Sequence, residues 1–450
     1  MTLAEQFNRI ENINAAEKAN RRYFRRIRIR DYLAGQAVYT LGDYPTRISA
    51  DPTEYDRAML RRLADSGVQL IQIHEDWNDP LCLYGADKFS APDPRGMKNF
   101  VELCHSYGIK VIPYASTGYF ERKDPKYQAD FSKYDTCWTF NCHSYMKGNY
   151  GSAHWREFII PRCLKIMDEY GFDGLYNDWG YDAWEHELAG RDTILPEGYY
   201  DPQVEDLLSQ IYSEIKRRGG VYKLHCDRNN APPCKDRVCD YLWIGEWVDN
   251  SPIGAGKEYL PYVVPCLDRR RTPEVDQETH FAYTIPFLQF PLLKTGRPIL
   301  GNNLEVPNVT YYGGDEQNFY GRVRDYMQKH PEGPYVYSLW SAIPDDPGEL
   351  DLWTKYWQLY RPMVTENSLT YIELRECEEI LSELEQNVYA SMFVNEKTYL
   401  VVSNLTEKPY ELVLKDKWRD RVTGSVANAF SIPKEKLLFL EKIKKGGQTV

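Results

Sequence analysis

The sequence predicts an α/β fold, a (β/α)8 TIM barrel over residues 36–364 with a helical arm over 1–35 before it and a small all-β sandwich over 365–450 after it. Three observations predict this. Between residues 36 and 362 short apolar runs alternate with stretches of helical periodicity, giving eight strand-then-helix units, which is the grammar of a parallel sheet. Several of those runs stop abruptly at polar residues, and in a parallel barrel the carboxyl ends of the strands are where chemistry sits. From about Thr365 the pattern changes to short strand-like runs separated by polar turns.

Taken in order, residues 1–32 read as helical and charged, and the basic run Arg21 to Arg30 (RRYFRRIRIR) reads as a solvated helix face rather than a membrane or polyanion patch. Gln36 to Leu41 (QAVYTL) is the first strand. It opens onto Gly42, Asp43, Tyr44 and Pro45, with none of the glycine-rich phosphate turn that an open doubly wound sheet would need there. Pro52 to Ser66 is a helix stopped by Gly67, and Val68 to Ile73 a strand that ends in His74, Glu75, Asp76 and Trp77. Gly96 to Tyr107 is an amphipathic helix, followed by the strand Ile109 to Tyr114.

Residues 115–153 are too long for an ordinary connection and read as an irregular functional wall or lid; His143 within it is a lone, solvated histidine. Ala153 to Tyr170 is a helix closed by Gly171, with Pro161 expected to kink it. The fourth strand is followed by the helix Val204 to Arg218, a fifth strand Val221 to His225 running into Cys226 and Asp227, and a sixth, Asp240 to Gly245, ending in Glu246 and Trp247. Glu278 to Thr295 reads as a long helix, Arg297 to Leu300 as a seventh strand ending before Asn302 and Asn303, and Tyr335 to Trp340 as the eighth. Leu350 to Tyr360 completes the series. Ser391 to Phe393, Thr398 to Val402 and Tyr410 to Leu414 are strands of the sandwich.

Composition narrows the function. A chain of 450 residues suits one large domain and a smaller one, and a formal net charge of −11 excludes nucleic acid as the main partner. No stretch approaches the roughly 18 unbroken apolar residues of a membrane span, and the N-terminus lacks a signal-type apolar core, so a cytoplasmic protein is expected. The ten cysteines form no CxxC pair and the two CxxxxC spacings lack histidine partners, which points to reduced, buried thiols and no metal. Aromatics make up 14% of the chain, a surplus that suits a cleft for flat amphipathic ligands such as sugars.

The chemistry concentrates in YGFDGLYNDWGY, Tyr170 to Tyr181. Alternation along a strand puts Phe172, Gly174, Tyr176 and Asp178 on one face, and an apolar strand has no packing reason to finish on an acid. Leu242, Ile244 and Glu246 repeat the pattern on the sixth strand. Two acids at the ends of alternate barrel strands face each other across its mouth, the arrangement glycosidic-bond hydrolysis needs: one protonates the leaving oxygen, the other attacks or activates water. His74, Glu75, Asp76, Trp77, Tyr176, Trp179, Asp182, Asp227, Trp247, Asn302, Asn303 and Trp340 are candidate sugar contacts on the same rim; as a metal site the His74 cluster lacks a second, correctly spaced histidine.

The run GFDGLYNDWGYD, residues 171–182, resembles the fourth-strand signature of (β/α)8 glycoside hydrolases of the broad α-galactosidase and α-amylase group, and the C-terminal β-rich segment is similar to the domain those enzymes carry. The resemblance implies that Asp178 is the nucleophile of a retaining glycoside hydrolase and that a later-strand acid, Glu246 with Asp227 in reserve, is the acid/base; an exo-acting enzyme on a terminal sugar, with no cofactor, is the expectation. Transglycosidase, non-catalytic sugar-binding barrel and metal-dependent aldolase or isomerase are the competing functions. Sugar identity and oligomeric state, a homo-oligomer included, stay open.

Overall fold

The computed structural model describes residues 2–20, 25–29, 31–41, 49–73, 77–78, 89–91, 93–122, 124–134, 138–140, 143–179, 198–226, 231–244, 262–265, 277–297, 347–364 and 369–443. The chain divides into two compact units, one of Gln36–Trp247 with Leu292–Pro347, the other of Met1–Gly35, Val248–Pro291 and Gly348–Val450.

The first unit is built on parallel strands. Seven of them pair side by side in the order Tyr241–Ile244, Val221–Cys226, Gly174–Asp178, Lys110–Ser116, Leu70–Ile73, Gln36–Thr40 and Leu293–Gly296. Six of these, from Gln36–Thr40 to Tyr241–Ile244, neighbour one another in sequence order, and Leu293–Gly296 lies parallel against the first, with Leu293 opposite Ala37 and Gly296 opposite Thr40. A late strand returning to the side of the first is the topology of a (β/α)8 barrel. Val263–Pro265 is a further short, buried strand, in the segment that belongs to the second unit.

The helices form where the capping chemistry allows. Thr53 and Asp56 exchange side-chain and backbone hydrogen bonds in a capping box that starts Glu54–Ser66, and Gly67, at φ 93°, stops it. Asp93 caps Pro94–Ser106, Ser152 caps Ala153–Tyr170, and Asp201 caps Pro202–Arg217. Pro161 sits inside its helix without ending it. Tyr39 against Phe100, and Tyr222 stacked on Tyr212, identify the strand face that meets the helices; the alternate residues therefore face the barrel interior.

One ion pair ties the end of Leu293–Gly296 to the helix that follows its neighbour Gln36–Thr40. Asp56, fully buried, receives Arg297 Nε at 3.0 and 3.1 Å and the Tyr39 hydroxyl at 2.6 Å. The guanidinium also donates to the carbonyls of Leu41, Ser49 and Asp51. Burial acts to raise the Asp56 pKa, but the Arg297 guanidinium outweighs it and holds the carboxyl below the usual range.

Three sequence expectations are corrected. The helix expected over Glu278 to Thr295 ends at Thr284; a 3-10 turn Ile285–Phe287 follows, and Leu288, at φ 58°, turns the chain out. Pro286 and Pro291 removed the donors a continuing helix needs. The end of that expected helix is instead a strand, Leu293–Gly296, LKTG, whose buried Lys294 and Thr295 disguise it from a reading that looks for apolar runs; the strand expected at Arg297 to Leu300 falls almost wholly on residues not described. Residues 298–300 and the expected eighth strand, 335–340, lie outside the described residues. The third loop is a small β-insert rather than irregular: Tyr119–Glu121, Trp138–Phe140 and His143–Lys147 form an antiparallel sheet, and Phe120 and Phe131 pack on Trp155 and Phe158 of the following helix.

The second unit is an all-β domain with helices on its sheet. Seven antiparallel strands run in the order Arg25–Ile29, Leu369–Leu374, Val388–Val394, Thr398–Asn404, Lys436–Lys442, Tyr410–Asp420 and Val426–Ile432. The register shifts between Val413 and Trp418, so the long strand Tyr410–Asp420 pairs with both of its neighbours and residues from both halves of the sheet share one core. Ile13 and Ala16 of the helix Leu3–Ala19 join that core, while Tyr360 and Tyr371 meet Phe393 on the opposite face.

Part of the basic run is thus a strand, not a helix. Arg26 and Arg28 alternate with Ile27 and reach the Glu17 carboxylate, Arg28 through two contacts of 3.0 Å. A period of two, short enough to be masked by the flanking arginines, decided it. Among the described residues no helix is long and apolar enough to cross a membrane.

Two outcomes are expected. Arg297→Met strands a buried carboxylate and should lower the unfolding free energy by about 3–5 kcal/mol, read by urea titration with Asp56→Asn and the double variant closing the cycle; equal stability of single variant and wild type would deny the pair its role. Glu278 takes Lys355 and Lys436 at 2.6 Å each, and these hydrogen bonds lower its pKa to about 2. A carboxyl depressed on folding stabilises above its unfolded pKa, and that stability is lost as pH falls toward 2. Wild type should therefore exceed Glu278→Gln in melting temperature at pH 6 and converge with it near pH 2.

Candidate functional site

The strand Gly174–Asp178 sits in the middle of the parallel sheet. Gly174 is required: a Cβ there would lie 1.8 Å from the Val221 carbonyl oxygen, and its φ of 148° disfavours any other residue. Register sets the rest. Tyr114 is opposite Tyr176, Ser116 opposite Asp178, Tyr176 opposite Lys223 and His225 opposite Trp243, so all of these share the interior face.

Asp178 is half-buried at the carboxyl end of its strand. The Tyr114 hydroxyl donates to its Oδ2 at 3.0 Å. Its backbone carbonyl accepts from Ser116 Oγ at 2.7 Å and from the Gly118 amide at 3.3 Å, so both the side chain and the main chain are held by the neighbouring strand. Beside it the Tyr176 hydroxyl lies 2.8 Å from His225 Nδ1, and Trp243 packs against both rings at 5.6 and 5.0 Å. Below lie the buried polar residues Gln36, Gln72, Lys223 and Lys294, on the same face by register. The result is a carboxylate over a floor of aromatic rings and hydrogen-bonding groups.

The residues on either side of Asp178 anchor it from the opposite face. Asn177 is fully buried; its Oδ1 accepts from the Thr117 amide at 2.9 Å and its Nδ2 donates to the Tyr222 hydroxyl at 2.6 Å. The Trp179 carbonyl accepts from the Tyr150 hydroxyl, and its indole N–H donates to the His225 carbonyl at 2.5 Å. Burial drives the Tyr150 and Tyr222 hydroxyls well above their usual pKa, keeping them neutral donors.

Of the residues picked out from sequence, Trp77, Tyr176, Asp178 and Trp179 are described. Tyr176 and Asp178 come together on the interior face. Trp77 and Trp179 differ from expectation. Trp77 has no exposed surface, donates its indole N–H to the Tyr114 carbonyl at 2.7 Å and meets Tyr170 and Phe172 edge-on. Trp179 is 1% exposed and its indole is engaged by His225. Both rings brace the strand ends and offer no open face for stacking. His74, Glu75, Asp76, Asp182, Asp227, Glu246, Trp247, Asn302, Asn303 and Trp340 lie outside the described residues.

Tyr114, His225 and Trp243 were not singled out from sequence. The signal was available, since the same alternation that placed Asp178 also places Tyr114 and His225 at strand ends, but apolar-run reading treats aromatic residues there as core.

With this geometry in view, comparison with known proteins adds the following. No protein-family model matches the chain, and no curated protein matches its sequence. Solved structures do match in shape. A noncanonic maltogenic alpha-amylase from Thermotoga neapolitana aligns with 92% of this chain and 100% of its own, at 12% identity and a TM-score of 0.55. An alpha-amylase from Geobacillus thermoleovorans, solved with acarbose, aligns over the same shares at 11% identity and a TM-score of 0.54. A GH36 alpha-galactosidase from Geobacillus stearothermophilus, in complex with 1-deoxygalactonojirimycin, aligns over 92% of this chain and 56% of its own, at 11% identity and a TM-score of 0.52. What is shared is the fold. It is a (β/α)8 barrel with an all-β domain, the fold that the sequence resemblance implied.

Asn177→Ala removes the partner of two buried groups, the Thr117 amide and the Tyr222 hydroxyl. A loss of about 1–3 kcal/mol of stability per orphaned group is expected in chemical denaturation, and a variant as stable as wild type would show that the anchor is dispensable.

Proposed function

We propose that the protein is a retaining glycoside hydrolase that removes a terminal sugar from an oligosaccharide or glycoside, with Asp178 as nucleophile and Glu246 as acid/base. The single observation that supports this most is the setting of Asp178: a half-buried carboxylate at the carboxyl end of a central parallel strand, facing the interior, with a tyrosine hydroxyl on one oxygen. The fold shared with alpha-amylases and an alpha-galactosidase agrees with it.

The chemistry follows from the groups. The Tyr114 hydroxyl holds Oδ2, which orients the other carboxylate oxygen for in-line attack on the anomeric carbon. As the Asp178 ester forms, the glycosidic C–O bond breaks and its electron pair goes to the leaving oxygen, which takes a proton from the Glu246 carboxyl. The Glu246 carboxylate then removes a proton from water, water adds to the anomeric carbon, and Asp178 is released as carboxylate. Retention requires the two carboxyl groups about 5–5.5 Å apart. Tyr176 and Trp243, both buried, pack edge to face beneath Asp178 and keep that side of the site apolar.

A panel of aryl glycosides tests the proposal. Wild type should release aryl alcohol from at least one sugar with the anomeric configuration kept in the first-formed product by NMR. Asp178→Ala should lose about 10⁴-fold or more in kcat, as removal of a covalent nucleophile does elsewhere. Undiminished turnover by that variant would take Asp178 out of the mechanism.

A further inference from the structure

The antiparallel sheet of the second unit has two edges, and their chemistry differs. Arg25–Ile29, RRIRI, forms one. Self-pairing about Ile27 would set Arg26 opposite Arg28 of a second copy, and like charges directly opposite destabilise a strand pair, so this edge is protected. Val426–Ile432, VANAFSI, forms the other edge and carries neither a charge nor a proline. On one side it pairs with Tyr410–Asp420, from Arg419 opposite Val426 to Tyr410 opposite Ile432. The Ile432 carbonyl accepts from Asn404 Nδ2 at 2.9 Å, whereas among the described residues the backbone of residues 427–431 bonds to no strand but Tyr410–Asp420. Every second residue of an edge strand aims its N–H and C=O away from its partner, so this edge offers a ladder of donors and acceptors. Asn428, Ala429 and Ser431 are exposed, and Val426 is 48% exposed. The turn that leads into the strand is fixed by Asp420, which accepts from the Val422 amide at 2.8 Å and from Thr423 Oγ1 at 2.7 Å.

We propose that Val426–Ile432 pairs with the same strand of a second copy of this chain, antiparallel about a two-fold axis at Ala429, and joins two sheets into one. Ala429 is the middle of the seven residues, so this register matches all of them and any other matches fewer. Val426 then falls opposite Ile432 of the second copy, Ala427 opposite Ser431 and Asn428 opposite Phe430, and no charge opposes another. An acidic or basic peptide would find no counter-charge on this strand, while its own copy is uncharged at every matched position. The small Ala429 side chain meets its symmetry mate on the axis, where directly opposed Cβ atoms lie about 4.5–5.5 Å apart. Main-chain hydrogen bonds supply the attraction, and a strand already ordered by its hairpin loses little freedom on pairing. One strand pair buries less than the roughly 800 Å² per partner of a standard interface, so the dimer is weak and reversible.

Sedimentation velocity of the full chain across the micromolar range should show a monomer–dimer equilibrium. Ala429→Lys and Ala429→Glu each set like charges face to face on the axis and should raise the dimer dissociation constant by at least about tenfold. An equimolar mixture of the two variants should restore association to the wild-type level or beyond, a result that misfolded chains cannot give. The exposed apolar face of Leu3–Ala19, with Phe7 65% exposed, serves as the control surface: Phe7→Ser should leave the equilibrium unchanged. A wild-type chain that stays monomeric throughout would overturn the proposal. So would a dimer that survives both Ala429 variants, a mixture that fails to associate, or a dimer that Phe7→Ser abolishes.

Discussion

The parallel sheet depends on the ion pair between Asp56 and Arg297. Asp56 belongs to the first helix after the first strand of the sheet, and Arg297 directly follows Leu293–Gly296, so the pair reinforces the backbone pairing of those two strands, which lie far apart in sequence. The carboxylate has no access to water, which makes an unpaired charge there prohibitive and the paired one directional. Arg297 brings five donors in a planar fork, and the carbonyls of Leu41, Ser49 and Asp51 take those the carboxylate leaves. Lysine could not make these contacts from one position. The same carboxylate caps its own helix through Thr53, so helix start and sheet return are set by a single side chain.

A second constraint acts at the centre of the sheet. Residues 177, 178 and 179 are held from alternate faces: Asn177 and the Trp179 carbonyl by tyrosine hydroxyls and Thr117, Asp178 by Tyr114, Ser116 and Gly118. A carboxylate fixed this way on a strand, with each partner on an adjoining rigid element, is preorganised for chemistry in a way a loop carboxylate is not. The cost of that order is met by burying Trp77 and Trp179, whose indole N–H groups bind the carbonyls of Tyr114 and His225 and so lock four strand ends together in two neighbouring pairs.

How far each element could be read in advance follows from the range of the forces that shape it. The helix Glu54–Ser66, its Gly67 stop and the strand Gly174–Asp178 rest on capping and alternation, both local, and are legible in the residues themselves. The Leu293–Gly296 strand is not, because LKTG has neither alternation nor an apolar run; it is a strand because Gly296 fits where a Cβ would lie 2.3 Å from the Thr40 carbonyl oxygen, a contact across more than half the chain. The Arg25–Ile29 strand escaped for the same reason, its partner Leu369–Leu374 being supplied by the far end of the sequence. At the site, Asp178 stood out as an acid ending an apolar strand, whereas Tyr114 and His225 carried no such anomaly.

By itself the sequence determined the class of fold, the alternation that puts Tyr176 and Asp178 on one face, and the acid at that strand's end, since these depend on residues within a few positions of each other. Only the tertiary structure decided that Trp77 and Trp179 brace the strand ends, that Tyr114 is the residue holding Asp178, and that the last strand closes on the first through Arg297. Each of those is a matter of which distant side chain fills a given space or satisfies a given buried polar group, and such pairings are set by packing in three dimensions rather than by spacing along the chain.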